Sequence, residues 1–80
     1  MTLSEVYKVE NSIVFAYASA KSDYEINLKD YAEDDFVTLM SKQDMKRLEE
    51  AKQIIEKERK EITAKYTQEQ INRVLDEVMI

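Results

Sequence analysis

The chain has 80 residues, 36% of them charged and 44% hydrophobic, with a net charge of −5. It contains no Cys, His, Gly, Pro or Trp, which excludes disulfides, thiol and imidazole chemistry, Cys/His zinc sites and Gly-rich phosphate cradles. A chain of this size buries only about 60% of its unfolded surface, so it supports one thin core, and a partner chain is the remaining common source of stability.

The charge is unevenly placed. Residues 1–40 carry three bases (Lys8, Lys21, Lys29) against eight acids, whereas residues 41–80 carry nine of each. The start, Met1-Thr2-Leu3-Ser4-Glu5, lacks the basic opening of a signal peptide. The longest apolar run, Ile13–Ala18, falls short of the roughly 20 residues that cross a bilayer. A cytoplasmic protein with no membrane insertion is expected, in keeping with the absence of Cys.

Taken in chain order, the first forty residues read as strands. Val6 to Val9 is a short one, and Asn11 supplies a turn. Ser12 to Ala20 is rich in β-branched and aromatic residues, with apolar side chains on both faces of a pleat. Lys21-Ser22-Asp23 makes the next turn. Tyr24, Ile26 and Leu28 then alternate with Glu25, Asn27 and Lys29, the pattern of a half-buried strand. Residues 30–35 form an acidic connection, and Phe36 to Met40 fits either a further strand or the first turn of a helix, its β-branched content favouring the strand.

Ser41 is placed to cap a helix, with Asp44 three residues on. From Lys42 to about Lys65 the periodicity is helical: Met45, Leu48, Ala51, Ile55 and Ile62 share a stripe. Lys52 and Arg59 interrupt the seam that Leu48, Ile55, Ile62 and Tyr66 otherwise trace at heptad spacing. Thr67 with Gln70 forms a second capping box, and Ile71, Val74, Leu75 and Val78 mark a terminal helix. The apolar stripe changes side between Ile62 and Ile71, so a bend is expected near Tyr66–Thr67. The expected fold is α+β in a single domain, 1–80. It comprises an antiparallel β-meander of three to four strands (1–40), a long helix (41–66) and a short C-terminal helix (67–80).

Function is read partly by subtraction. No catalytic residue, cofactor site or metal site is expected: the cluster Glu33-Asp34-Asp35 lacks the spaced ligands and turn Gly of a calcium loop. The bases of the long helix, Lys46 and Arg47 among them, alternate with Glu49, Glu50 and Glu56, so no continuous phosphate-binding face develops. Nucleic-acid binding by a dimer through those positions is the alternative reading. The favoured one is a protein-binding regulator or inhibitor. Its partner-binding residues are Tyr7, Tyr17, Tyr24 and Tyr31 on the sheet, with Asp34 and Asp35 beside them. A homodimer is expected through Ile55, Ile62, Tyr66, Ile71, Val74, Leu75 and Val78, because a helix of this length outruns a compact body. In general character the small size, acidic half and lack of catalytic residues resemble small regulators encoded by phages and other mobile elements. That resemblance implies binding to another protein.

Overall fold

The structure, a computed structural model, describes residues 1–78. They form three helices: α1 (Leu3–Asp30), α2 (Phe36–Thr63) and α3 (Gln68–Val78). Among the described residues there is no strand, so the expected α+β fold and its meander over 1–40 are overturned. The segments read as strands at Val6–Val9, Ser12–Ala20 and Tyr24–Lys29 all lie within α1, which runs unbroken through the expected turns at Asn11 and Lys21–Asp23. Phe36 to Met40 is the first part of α2.

The physical reason lies in a second periodicity carried by the same residues. Leu3, Val6, Glu10, Ile13, Tyr17, Ala20, Tyr24 and Asn27 are spaced alternately three and four apart, and all of them are buried or half-buried. Thr38, Ser41, Met45, Leu48, Lys52, Ile55, Arg59 and Ile62 repeat that spacing along α2, again all buried or half-buried. This is the heptad seam of a helical hairpin. Local β propensity over Ile13–Tyr17 is a weak preference that such packing overrides, and no Gly or Pro is present to stop the helix.

The two helices are antiparallel, and polar seam residues set their register. Arg59 donates from Nε to Glu10 Oε2 at 2.8 Å, with both side chains less than a third exposed. The Lys52 ammonium stands 5.3 Å from the centre of the Tyr17 ring, within cation–π range. Seven residues forward along α1 correspond to seven back along α2, so both contacts belong to one alignment. The carboxylate raises the already high pKa of Arg59, chiefly through this hydrogen bond. The guanidinium therefore stays charged.

Both chain reversals form without glycine, and among the described residues none takes a positive φ. Tyr31 leaves α1 in extended conformation and donates to the Asn27 carbonyl. Residues 31–35 then turn through an Asp35–Ala32 backbone bond of 3.0 Å. Asp35 caps α2, its Oδ1 accepting from the Val37 amide at 2.9 Å. The expected cap, Ser41, is instead inside α2, where its hydroxyl donates to the Thr38 carbonyl. At the other end α2 stops at Thr63 and α3 starts at Gln68. There Thr67 and Gln70 close their capping box through two reciprocal bonds of 2.9 and 3.2 Å. A similar box opens α1: the Thr2 amide donates to Glu5 Oε1, and the Glu5 amide to Thr2 Oγ1.

Each long helix has 28 residues, about 42 Å at 1.5 Å per residue. The molecule accordingly measures 49 × 23 × 15 Å, with a radius of gyration of 16.2 Å, well above the roughly 12 Å of a compact body of this length. Its distal helix is accompanied throughout by α1, which removes the reason for expecting a second copy to cover it. The short α3 turns back against α1, from the end where α2 finishes. Most of the core collects on these elements: Leu3, Val6, Tyr7 and Ile55 are buried there, Val6 completely. The hairpin thus has a three-helix end, and a two-helix end at the 31–35 turn.

Two outcomes are expected. Arg59→Met leaves Glu10 unpaired inside the seam and should lower the unfolding free energy by about 1–3 kcal/mol in urea titration. A loss below about 0.5 kcal/mol, within the range of an ordinary surface change, would show that the pair does not hold the register. The second concerns pH. The Glu5 carboxyl is held below its ordinary value, first by the Thr2 backbone amide and then by the Thr2 hydroxyl. Its contribution is therefore present above the unfolded-state value and is lost as pH falls through the lower, folded-state one. In an NMR titration the Thr2 amide resonance should move with a midpoint below the ordinary glutamate range. A midpoint at the ordinary value means the box is open in solution.

Candidate functional site

At the two-helix end, the usual distribution of side chains is inverted. The seam there is built from Ala20, Tyr24 and Asn27 on α1 facing Thr38 and Ser41 on α2, mostly small or polar residues. The large apolar side chains of the same stretch lie outside: Ile26, Leu28, Tyr31, Phe36, Val37, Leu39 and Met40 are all exposed, Phe36 to 74%. Phe36 and Met40 are four residues apart and so share a flank of α2, whereas Val37 and Leu39 project to other sides. Large apolar residues on several outward sides of a helix that is not enclosed are a signature of an interaction surface. Further along, Val14 and Phe15 are exposed side by side on α1, while Ile54 and Tyr66 stand singly, as on most proteins.

Carboxylates surround this end. Residues 22–41 hold six acids (Asp23, Glu25, Asp30, Glu33, Asp34, Asp35) and one base, Lys29, a net charge of −5. The rest of the chain carries eleven acids and eleven bases and is neutral in sum. Lys21 and Lys42 bound the acidic stretch on the two helices. A recess of about 410 Å³ lies against the turn, lined by Glu33, Asp34, Leu39 and Lys42. It combines an apolar floor with charges of both signs. Among the described residues no group of three acidic side chains converges to hold a metal ion.

The residues expected from sequence to bind a partner are dispersed. Tyr7 is buried at the opposite end, and Tyr17 and Tyr24 are half-buried in the seam, so the supposed tyrosine-bearing sheet face does not exist. Tyr31 and Asp34 are exposed at the turn, and Asp35 is committed to capping α2. Of the expected oligomer residues, Ile55 is buried in the hairpin core and Ile62 half-buried in the same seam, while Tyr66 is exposed. Ile71, Val74, Leu75 and Val78 are half-buried on α3, the helix that lies against α1. The bases of the alternative reading, Lys46 and Arg47, sit among Asp44 and Glu50, and Arg47 is paired with Asp44 at 3.0 Å.

Sequence reasoning missed Ile26, Leu28, Phe36, Val37, Leu39 and Met40. The available signal was the run Phe36–Met40 itself: on a helix, it carries more apolar bulk than one stripe can bury. Among the described residues no helix is long and apolar enough to cross a membrane. The chain matches no protein-family model, no curated protein and no solved structure.

One side chain at this end is poorly provided for. The Thr38 hydroxyl is buried, the residue being 1% exposed, and among the described residues it has no hydrogen-bond partner. An unpaired buried hydroxyl costs about 1–3 kcal/mol. Thr38→Val, which keeps the shape and removes the hydroxyl, should therefore raise the urea midpoint and stabilise the fold by about 1 kcal/mol. A destabilised variant would mean that the hydroxyl has a partner in solution.

Proposed function

We propose that this protein is a small, non-enzymatic regulator or inhibitor that acts by binding another protein through the two-helix end of its hairpin. One observation carries the reading: over residues 20–41 the seam is filled with small and polar side chains, while the large apolar ones face outward. Packing of the chain on itself does not account for Phe36, Leu39 or Met40 on the surface. The shape supports the same reading. A hairpin 49 Å long and 15 Å thin presents its turn far from the core that stabilises it, so the end can be shaped by a partner's needs with little cost to folding. The sequence supplies no imidazole or thiol for catalysis, and its lack of Cys supports a reducing, cytoplasmic setting.

The end is separable from the fold in a testable way. Phe36→Ser and Leu39→Ser should each change the unfolding free energy by less than about 0.5 kcal/mol, as exposed substitutions do. A photo-crosslinking residue at Leu39 should form a discrete adduct with one protein in cell extract, and the same residue at exposed Gln68 on α3 should not. Phe36→Ser should abolish that adduct. Equal labelling from both positions, or a Phe36→Ser chain that is strongly destabilised, would contradict the proposal.

A further inference from the structure

We infer that the hairpin end docks into an apolar groove rimmed by Lys or Arg on a different protein, and not against a second copy of this chain. The inference rests on the reading of that end as a docking surface and adds the chemistry of what it meets. Apolar side chains such as Phe36, Leu39 and Met40 call for an apolar counterpart. The charge around them decides which apolar surface is acceptable. Asp30, Glu33 and Asp34 are exposed at the turn beside them. Docking brings these carboxylates within a Debye length, about 8–10 Å, of the partner's rim, where screening no longer hides the sign of a charge.

The alternatives each meet a charge obstacle. Two copies joined end to end would set two surfaces of net −5 against each other, and juxtaposed like charges are strongly disfavoured. An end-to-side contact would meet a shaft that is neutral in sum, with acids interleaved among its bases. A head-to-tail contact of this kind closes only where its rotation makes a ring and otherwise builds open chains. Nucleic acid and anionic lipid surfaces carry the same sign as the hairpin end, which offers them only Lys29 between its flanking lysines. A cationic rim on a protein is the counterpart that gains from the exposed carboxylates Asp30, Glu33 and Asp34. It also uses the field of an acidic end carried on a neutral shaft, which orients the molecule before contact and speeds association.

The test uses the full chain and two synthetic amphipathic helical peptides of equal length. Each has a Leu face, flanked by Lys in one and by Glu in the other, and binding is read by fluorescence anisotropy. The Lys peptide should bind and the Glu peptide should not. Affinity should fall at least about tenfold in Asp30→Asn/Asp34→Asn, and by a similar factor in Leu39→Ser/Met40→Ser. Glu56→Gln/Glu61→Gln on the shaft should leave it within about twofold, which separates docking at the end from general attraction to an acidic chain. Circular dichroism and urea midpoints confirm that each variant is folded. The Asn pair, which removes charge from exposed positions only, keeps the test valid should the Ser pair perturb the helix. Binding of the Glu peptide at the hairpin end would overturn the charge assignment and leave the docking reading standing. Failure of both peptides to bind would remove both. A mass in light scattering that grows with concentration in the native chain, but not in Leu39→Ser/Met40→Ser, would identify the occupant as a second copy and overturn the inference.

Discussion

The fold depends on how two polar residues are accommodated in the seam of a helical hairpin. Arg59 and Lys52 occupy positions that an ideal seam fills with Leu or Ile, and α1 answers them with Glu10 and Tyr17. A seam of aliphatic residues alone would let the two helices slip by a heptad at modest cost. A slip by one heptad takes the Arg59 guanidinium away from Glu10, to face Leu3 or Tyr17 instead, and so loses its hydrogen bond to the carboxylate. The contacts add little net stability, since bringing charge out of water offsets much of what the pairing gains. What they secure is one alignment among several that the apolar residues would accept.

That alignment determines the shape of the molecule. With register set at Glu10–Arg59, α1 and α2 run side by side along their whole length, and the turn falls at residues 31–35. The short α3 reaches only one end, and Leu3, Val6, Tyr7 and Ile55 are buried around it. The other end is held by two helices whose seam thins to Ala20, Asn27, Thr38 and Ser41. Stability is thereby concentrated away from the turn. Most of the exposed large apolar side chains and the whole net charge lie where the fold asks least of them, and this separation makes the two-helix end the strongest candidate for binding.

Several features were legible in the residue order. The helical stripe through Met45, Leu48, Ile55 and Ile62, the capping box at Thr67 and Gln70, and the interruption of the seam by Lys52 and Arg59 could all be read from spacing. The first forty residues were misread because two periodicities coexist there. Tyr24, Ile26 and Leu28 alternate as a strand would, and Ile13 to Tyr17 has β-branched and aromatic content. The heptad beneath them is masked by Glu10 and Asn27, polar residues at seam positions that look like breaks until Arg59 is seen opposite Glu10. The same masking hid the candidate site. Read as a strand, Phe36–Met40 needs no explanation; read as helix, it has apolar residues on too many sides.

The sequence by itself determined the chemistry available: no imidazole, no thiol, no glycine or proline, an acidic excess confined to the first half, and caps able to start helices without glycine turns. Those properties depend only on which side chains are present and on contacts between near neighbours. The tertiary structure decided which of two competing periodicities was used, which polar residues were paired, and which apolar residues were left in water. Each of these rests on a contact between residues far apart in the chain, Glu10 with Arg59 above all, and local propensity is too weak to predict such a contact.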